Sequence, residues 1–507
     1  MRSDKYSKHE EPVIQNQNQN QEQEQPEVKK SGFAIFTRVW SVLYFLMLVA
    51  FVSMLIYVDI LSANILYISL AVVAVLSLLI FPTLYFYGFK KYKKIIALVV
   101  SIALMGAFGF GMVNLKDTTS FFSKVTSVNE QTEDYYVIVR DDSSYKQIDD
   151  IQGKEVATYL TNEINYSKAK GKLAAREKVT YNRIASLSKL GTGLTDKKYD
   201  IILISSSHYS TLCDKEKNFK SSTRVIYTIK VKISTEDLSK NVDVTKEPFN
   251  IYVSGLDVSG NIKTASRSDV NMIVTVNPKT HTVMITSIPR DYEIKLTSKN
   301  NAVDKLTHTG IYGIQETLKS VEKLTGLDMN YYVKVNYTTV KKFIDAIGGI
   351  DVYSDYTFTT HGQKVYYTFY KGKNHLDGAH ALAFARERKS FAAGDVQRNK
   401  DQAKIVEAII KKASSSNTIL TRYSSILNAC KDYMEINMTS NEIKTLVKKQ
   451  MEDGSKWTIK KQNMTGNGVT EQCYSTGEYY VYVMKPSEEQ VIAAVDQIVA
   501  VMDGSLK

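Results

Sequence analysis

The hydrophobic and polar positions of this chain separate a short apolar part near the N-terminus from a much longer mixed part. Three stretches without a charged residue follow one another, at Val39–Val58, Ile65–Tyr87 and Ile95–Leu115. A helix needs about 20 apolar residues to cross about 30 Å of hydrocarbon, and each stretch is long enough. The pattern therefore predicts three transmembrane helices over residues 39–115, in preference to three buried helices of a soluble protein.

Basic residues around these stretches predict their direction. Lys29, Lys30 and Arg38 precede the first stretch and Lys90–Lys94 holds four lysines, whereas the turn Asp59–Asn64 has neither lysine nor arginine. The positive-inside rule then places the N-terminus and the lysine-rich loop in the cytoplasm. Because three crossings are an odd number, we expect a multi-pass protein of the cell membrane whose remaining residues are extracellular.

The segments before and after these spans differ in character. Residues 1–38 include the run Gln15–Gln25, which consists only of Gln, Asn and Glu, and they are predicted to form a disordered cytoplasmic tail. Residues 117–245 are predicted to form a smaller extracellular α/β accessory domain. Its pattern indicates strands at Tyr135–Arg140, Lys154–Tyr159, Tyr199–Ile204 and Arg224–Ile233 and a helix around Ser167–Val179.

Residues 249–505 show a sharper alternation of strands and helices. Strands are predicted at Phe249–Leu256, Asn271–Val276, Val283–Ile288 and Tyr331–Val335, and helices at Tyr312–Thr325, Tyr337–Ile347, Asp377–Glu387 and Val396–Ala413. This order predicts the α/β class, with a mostly central sheet covered by helices on both faces.

Composition narrows the function without defining it. The formal net charge of +12 on an exported domain suits anionic partners such as lipid phosphates or wall polymers, and topology argues against nucleic acid. Three cysteines are too few for a disulfide scaffold, although an exported compartment would permit a Cys430–Cys473 bridge, and this pairing stays open. The sequence has no phosphate-binding loop, nucleophile elbow or H-E-x-x-H zinc motif.

Arginine and aspartate gather at the predicted ends of strands and helices in residues 249–413. Arginine binds phosphate oxygens through paired hydrogen bonds, and two carboxylates can hold Mg²⁺ without neutralising a basic pocket. Such a set could stabilise charge on a diphosphate leaving group. The alternative is a series of surface ion pairs, each worth about 0–1 kcal/mol.

The motifs and their order resemble the LytR–CpsA–Psr family, and Asp304–Gly313 is most similar to its CpsA branch. The resemblance rests on Arg267–Asp269, Ser287–Asp291, Asp304–Lys305, Gly348–Asp351 and Leu376–Arg388, followed by Gly394-Asp395, Arg398 and Gln402. It implies a three-layer α/β/α domain and a Mg²⁺-dependent phosphotransferase. Such enzymes move a glycopolymer, for example capsule or teichoic acid, from an undecaprenyl-diphosphate carrier onto peptidoglycan.

The resemblance also implies roles for individual residues. Asp257 and Asp269 would be the magnesium ligands, Asp269 could accept the proton of the acceptor, and Asp269, Arg290 and Arg388 would be the catalytic set. The residues implied to hold the diphosphate are Arg267, Arg290, Lys305, Arg386, Arg388, Asp395 and Gln402. An apolar channel for the carrier lipid would be formed by Val340–Ile347 and Ala381–Phe384, for which ordinary core packing is an equal explanation.

Three features limit what the resemblance implies. Asp401 precedes Gln402 where many members have a basic residue, which weakens the expectation of another phosphate contact from this turn. His308 and His380 are given no catalytic role. A lipid-diphosphate hydrolase using the same site, and a non-enzymatic envelope regulator or polymer receptor signalling through the tail, stay open as alternatives.

Overall fold

The computed structural model describes residues 32–126, 131–161, 163–233, 238–256, 262, 265–362, 365–415, 422, 425–426, 428–430 and 432–506. The predicted tail falls mostly on residues 1–31, which lie outside the described residues. Its predicted end at residue 38 is wrong, because the first helix already begins at Gly32. Residues 32–38 are apolar enough, apart from Arg38, to extend that helix.

The three predicted spans are confirmed as helices that are long and apolar enough to cross a membrane. They are α1 (Gly32–Val58), α2 (Ala63–Tyr85) and α3 (Lys91–Val125). Helix α3 continues beyond the predicted end at Leu115, through Lys116 and Asp117. The extension is explained by its apolar residues Phe121, Phe122 and Val125, which are buried in a core cluster.

The chain forms two compact units. Among the described residues, one contains residues 32–50 and 71–108, and the other contains residues 51–70 and those from 109 onward. In the first unit, polar side chains link the helices: Tyr44 and Ser77 share a hydrogen bond of 2.9 Å, and Trp40 Nε1 donates to Ser101 Oγ at 2.8 Å. Such bonds satisfy polar groups that lipid could not.

The second unit contains the ends of α1 and α3 that adjoin the turn at Asp59. Leu55 and Val58 of α1 pack in one buried cluster with Val125 of α3, Phe249 and Tyr331. Lys448 Nζ lies 2.6 Å from Asp59 Oδ1 in the turn. The turn and the end of α3 are therefore packed into the same compact unit as the long mixed part of the chain.

A mixed five-stranded sheet forms within residues 132–232, in the order β3-β2-β4-β1-β5. Its elements are β1 (Thr132–Arg140), β2 (Glu155–Tyr159), α4 (Ile164–Glu177), β3 (Thr180–Ile184), α5 (Leu187–Thr195), β4 (Ile201–Ser205), α6 (Ser206–Lys215), α7 (Phe219–Ser222) and β5 (Thr223–Lys232). Helix α4 packs on one face of this sheet, and α5 and α6 pack on the other.

A six-stranded sheet forms the centre of the following region, in the order β16-β11-β6-β7-β8-β17. Its strands are β6 (Phe249–Leu256), β7 (Ser268–Asn277), β8 (Thr282–Ser287), β11 (Tyr331–Asn336), β16 (Met434–Ile436) and β17 (Thr458–Asn463). The parallel pairs are β6 with β11 and β8 with β17, and the other neighbours run antiparallel.

Helices cover both faces of this sheet, which confirms the predicted three-layer α/β/α class. On one face lie α9 (Ile314–Thr325) and α14 (Glu488–Met502). On the other face lies α12 (Asp395–Ala413), which packs with α10 (Tyr337–Ala346) and α11 (Gly378–Arg386). The remaining labelled elements are β9 (Glu293–Leu296), β10 (Ala302–Lys305), α8 (Leu306–Thr309), β12 (Ile350–Ser354), β13 (Phe358–Thr359), β14 (Thr368–Phe369), β15 (Gly372–Leu376), α13 (Ser440–Asp453), β18 (Gly466–Gln472) and β19 (Tyr480–Pro486).

The cysteines do not form the bridge that was left open. Cys430 and Cys473 are both free thiols, and both are buried. Cys430 packs in the apolar cluster that contains Tyr331 and Ile436, and burial raises the pKa of each of these thiols to about 12.

Candidate active site

A cavity of about 380 Å³ opens between the six-stranded sheet and the helix layer formed by α10, α11 and α12. Gly255 on β6 and Gly378 at the start of α11 each permit a close approach of neighbouring elements. A Cβ on Gly255 would lie 2.7 Å from Cβ of Val270, and one on Gly378 would collide with the Lys341 carbonyl. Glycine at these positions therefore lets the sheet and helices pack where the cavity forms.

The polar wall of this main cavity carries most of the predicted site residues. Asp269 follows the start of β7, Arg290 follows β8, and Arg386 ends α11. The described polar and charged lining residues are Asp269, Arg290, Asn336, Tyr337, His361, Arg386, Arg388, Lys389, Arg398 and Gln402. Within the described residues, Asp269 is the one carboxylate that lines the cavity, so the wall is strongly cationic.

Arg290 and Asp269 form the central ion pair of this wall. Arg290 Nη1 lies 2.6 Å from Asp269 Oδ2, and the Thr307 hydroxyl donates to Asp269 Oδ1 at 3.2 Å. Both charged side chains are largely buried. The pair therefore holds a guanidinium group at a defined place on the cavity wall.

Asp395 links two further arginines at the start of α12. Its carboxylate lies 3.2 Å from Arg398 Nη2 and 3.7 Å from Arg388 Nη1. Arg398 is only 7% exposed, and its Nε has no hydrogen-bond acceptor among the described residues. A buried guanidinium N–H without an acceptor is costly, so its position on the cavity wall favours an anionic ligand.

Arg386 and Gln402 are positioned by contacts within the helix layer. The Arg386 guanidinium lies over the Tyr337 ring, 4.4 Å from its centroid, and Gln402 Nε2 donates to the Ala385 carbonyl at 3.2 Å. Glu387 accepts hydrogen bonds from the backbone N–H groups of His361 and Arg388. These contacts fix the chain around the arginines at the cavity mouth.

The rest of the main cavity is apolar. Its described lining includes Val253, Leu256, Val270, Val335, Val340, Leu382, Ile405, Val406 and Ile409. Only Val340 and Leu382 come from the two segments predicted to form the channel. Ile344, Ile347, Ala381 and Phe384 are instead packed in a core cluster, as the alternative of core packing predicted.

Three predicted diphosphate ligands lie outside the described lining of the main cavity. Arg267 pairs with Asp214 of α6, at 3.3 Å between Nη1 and Oδ2. Lys305 Nζ contacts Asp291 Oδ1 at 2.9 Å, and Asp395 pairs with Arg388 and Arg398 of the lining. Arg267 therefore lies apart from the cavity wall, whereas Lys305 and Arg290 lie near the same oxygen of Asp291, at 2.9 and 3.9 Å. The contact of Arg267 and Lys305 with a diphosphate stays a prediction.

Of the two predicted magnesium ligands, Asp269 is among the described residues. Asp257 lies outside the described residues, and no cluster of three His, Cys, Asp or Glu side chains occurs in the part of the chain that is described. Mg²⁺ commonly uses only one or two carboxylates together with substrate phosphates and water. Asp269, a carboxylate on an otherwise cationic wall, suits that donor set.

Two residues that the sequence analysis left out of the predicted site, Asp401 and His308, lie in buried hydrogen-bond networks. Asp401 is buried, and it accepts hydrogen bonds from Gln397 and Lys404 at 3.1 and 3.0 Å, away from the described lining. His308 Nδ1 lies 2.6 Å from Asp304 Oδ1 and 2.7 Å from Ser475 Oγ in a buried network. Neither residue touches the main cavity.

Arg398, Ile405 and Ile409 were not predicted as site residues. They follow one another at helical spacing along α12, and Arg398 begins the same face that carries Gln402. The sequence signal that could have found them is this spacing, because residues three and four apart share one helix face.

Comparison with known proteins shows the family to which the chain belongs. The model described as the LytR_cpsA_psr family matches residues 206–496. The chain therefore belongs to the LytR–CpsA–Psr family. The match begins at Ser206, inside the region predicted as the accessory domain.

Among its relatives is the polyisoprenyl-teichoic acid–peptidoglycan teichoic acid transferase TagU of Bacillus mycoides, 35% identical over 212 residues. That match covers 42% of this chain and 66% of the relative. TagU of Bacillus subtilis is 32% identical over 231 residues, with 45% and 72% covered. The chain thus spans slightly less than two thirds of the first of these relatives. A crystal structure of Bacillus subtilis TagV aligns with a TM-score of 0.43 at 29% identity, over 51% of this chain and 98% of that one.

Proposed function

We propose that this protein is a membrane-anchored glycopolymer–peptidoglycan phosphotransferase. It transfers a glycopolymer from an undecaprenyl-diphosphate carrier to a hydroxyl group of peptidoglycan, in the assembly of the cell wall or capsule. Family membership supports this reaction, because the relatives that align with it are named as transferases of teichoic acid from a polyisoprenyl carrier to peptidoglycan.

The observation that carries the proposal is the composition of the main cavity. One cavity joins four arginines to a lumen lined by valine, leucine and isoleucine. A lipid diphosphate has the matching two parts, since its phosphates need guanidinium donors and its hydrocarbon chain needs an apolar surface. The buried Arg398 Nε, which has no hydrogen-bond acceptor among the described residues, adds a specific donor for phosphate oxygen.

In the proposed reaction, the acceptor hydroxyl oxygen forms a bond to the phosphorus that bears the glycopolymer. The bond between that phosphorus and the bridging oxygen breaks, and the carrier leaves as its monophosphate. Asp269 accepts the hydroxyl proton. Arg290, Arg386, Arg388 and Arg398 stabilise the negative charge that grows on the leaving phosphate, which is where preorganised cations contribute most.

Magnesium belongs to this proposal as a cofactor. Asp269, and Asp257 outside the described residues, would hold Mg²⁺, which would neutralise charge on the diphosphate oxygens when bound. Asp269 already accepts hydrogen bonds from Arg290 and Thr307, so its orientation is fixed before any ligand arrives. This orientation makes Asp269 suited to both roles, as ligand and as base.

The membrane arrangement proposed here has the N-terminus in the cytoplasm and the active site outside. It is supported by the four lysines of Lys90–Lys94, at and just before the start of α3, and by the Asp59 turn, which packs in the same compact unit as the active-site sheet. An active site held beside the outer leaflet could take its lipid substrate directly from the bilayer. The purpose of the membrane helices would then be substrate access as well as anchoring.

The proposal is tested with the full-length protein in lipid nanodiscs, a lipid-diphosphate-linked glycopolymer and peptidoglycan. We expect Arg388→Ala to lower the transfer rate by about 10²–10³-fold, the usual cost of losing one charge-stabilising donor. Arg176→Ala is the matched control, because Arg176 is a half-exposed arginine of α4 that pairs with Asp149 and Glu177, outside the described lining of the main cavity. Full activity of Arg388→Ala, in a protein that unfolds at the wild-type temperature, would contradict the proposal.

A further inference from the structure

A second cavity of about 250 Å³ adjoins the main one at Arg290. Arg290 lines both cavities, and Asp395, which pairs with two arginines of the main cavity, lines the second. The described lining of the second cavity is Pro289, Arg290, Asp291, Ala393, Asp395, Val396, Asn399, Asn463, Met464, Thr465, Tyr482 and Met484. We propose that this second cavity binds a neutral N-acetylated pyranose of the peptidoglycan acceptor, its N-acetylglucosamine ring. The inference rests on the proposed transferase function and adds its acceptor site.

The charges of the second cavity favour a neutral ligand. Its carboxylates, Asp291 and Asp395, are each held by a basic side chain: Lys305 at 2.9 Å from Asp291, and Arg398 at 3.2 Å from Asp395. Its guanidinium group, that of Arg290, is paired with Asp269. An anion would therefore meet two fixed carboxylates, whereas sugar hydroxyl groups can donate hydrogen bonds to them.

Asn463 offers a specific partner for an acetamido group. It is the last residue of β17, and its Oδ1 is buried without a hydrogen-bond donor among the described residues. A buried carbonyl oxygen of this kind costs free energy unless a ligand or water donates to it. The N–H of an N-acetyl sugar is such a donor.

The lining of the second cavity also includes apolar surface for a pyranose ring. Tyr482 and Met484 are two residues apart on β19 and therefore share one face of that strand, and Met464 lies next to them in the lining. Burial, together with the nearby Asp291 and Asp395 carboxylates, raises the pKa of Tyr482. Its phenol therefore remains a neutral hydrogen-bond donor close to both carboxylates.

The position of the second cavity matches the demands of the reaction. In phosphoryl transfer, the attacking and leaving oxygens lie roughly in line on opposite sides of the phosphorus. The carrier chain needs the apolar lumen of the main cavity, so the acceptor must approach the phosphate from another direction. A site that shares only Arg290 with the main cavity satisfies this requirement.

The hairpin that carries Tyr482 is held at its tip by the five-stranded-sheet domain. Glu478 accepts hydrogen bonds from Ser186 Oγ at 2.6 Å and from the Ser188 N–H at 2.7 Å. Lys215 Nζ donates to the Tyr480 carbonyl at 2.8 Å. In this arrangement the five-stranded-sheet domain, which the sequence predicted as the accessory domain, fixes one wall of the acceptor site. Holding this wall would be a function of that domain.

The experiment uses full-length protein in nanodiscs and, as acceptor, a peptidoglycan tetrasaccharide of alternating N-acetylglucosamine and N-acetylmuramic acid. We expect Asn463→Ala and Tyr482→Ala each to raise the KM for the tetrasaccharide about tenfold, with the KM for the lipid donor unchanged. Tyr480→Ala is the control, because Tyr480 is an exposed tyrosine of the same strand outside the described lining. Thermal unfolding of each variant identifies any loss of folding.

A second measurement separates this inference from the proposed function. Binding of the tetrasaccharide alone, followed by saturation-transfer NMR, should be weakened by Asn463→Ala, by Tyr482→Ala and by the milder Tyr482→Phe, and left unchanged by Tyr480→Ala. Wild-type transfer with an unchanged acceptor KM and unchanged binding in these variants overturns the acceptor site only. If the variants raise the KM for the lipid donor and leave the KM for the tetrasaccharide unchanged, the acceptor site is also overturned, because the second cavity would then hold the donor. Tetrasaccharide binding without any transfer overturns the proposed function and leaves the sugar site in place.

Discussion

Arg290, which lines two neighbouring cavities, forms an ion pair of 2.6 Å with Asp269, which lines the main one. One cavity combines arginines with an apolar lumen, and the other is lined by amides, carboxylates and an exposed tyrosine. The pair thus stands where a lipid-linked phosphate and an acceptor hydroxyl would meet. In this position Asp269 could act both as the base for the acceptor hydroxyl and as a magnesium ligand.

Asp269→Asn should lower the transfer rate by about 10²-fold or more, because the amide neither accepts the acceptor proton nor binds Mg²⁺ as a carboxylate does. Chelation should lower wild-type activity and added Mg²⁺ should restore it, whereas the variant should respond weakly to the metal. Initial rates measured across a magnesium titration check both effects. Transfer by Asp269→Asn at the wild-type rate would exclude Asp269 from both roles.

The apolar lumen predicts sensitivity to the length of the carrier. Leu382→Trp places a larger side chain in the lining, so the KM for a long polyprenyl carrier should rise about tenfold and the KM for a short-chain analogue should change little. Val499→Trp, at a partly exposed position on α14, is the control. An equal effect on long and short carriers would show that the lipid chain lies elsewhere.

Glu133 predicts a dependence of stability on pH. Burial, and then the neighbouring Glu163 carboxylate, raise the pKa of Glu133 to about 7. The folded protein therefore holds this proton more tightly than the unfolded chain, so stability is highest at low pH and falls as pH rises from about 4.5 to 7. Glu133→Gln removes this loss.

Relative to wild type, the free energy of unfolding of Glu133→Gln should therefore increase between pH 5 and pH 8, by at most about 3 kcal/mol at about 1.4 kcal/mol per pKa unit. Chemical denaturation in detergent at the two pH values measures the change. The exposed Glu489→Gln is the control, and its difference from wild type should not vary. A constant difference for Glu133→Gln as well would mean that Glu133 is ionised in the folded protein at both values.

Glu478 predicts the opposite dependence. Although burial opposes the change, hydrogen bonds from Ser186 and from the backbone N–H groups of α5 hold the pKa of Glu478 below its usual value. Its stabilising contribution is therefore present above the unfolded pKa and is lost as pH falls through the lowered folded pKa. Glu478→Gln should release the hairpin tip at pH 7 and should differ little from wild type near pH 3.

Hydrogen exchange of the β18–β19 amides at pH 7 measures this release. Faster exchange in Glu478→Gln, with unchanged exchange in the six-stranded sheet, is the expected result. Equal protection of the hairpin in both proteins would show that the Glu478 carboxylate does not hold the tip.

Much of the fold follows from the sequence because its pattern is strong. The apolar runs gave the three spans, and β6, α9 and α12 begin and end within two residues of their predicted bounds. The extension of α3 to Val125 could not be predicted from hydropathy, since Lys116 and Asp117 interrupt the apolar run. Only its packing against the sheet edge accounts for it.

The sequence predicted those site residues that belong to short motifs. It did not predict contacts between residues that are far apart in the chain. The main cavity is lined by three arginines that belong to sequence motifs at element ends: Arg290, Arg386 and Arg388. Arg267 carries an equally clear motif, yet its side chain turns to Asp214, a residue 53 positions earlier in the chain. Likewise, Tyr482 belongs to a largely exposed hairpin, and the sequence of that hairpin did not predict that Tyr482 lines a cavity.

The most direct measurement compares the two products of the reaction in one assay. Full-length protein in nanodiscs is given a lipid-diphosphate-linked glycopolymer and peptidoglycan, and polymer attached to peptidoglycan is quantified against carrier monophosphate released. The account predicts equal amounts of the two products in wild type and neither product in Arg290→Ala. Release of carrier monophosphate without attached polymer, or undiminished transfer by Arg290→Ala, would contradict it.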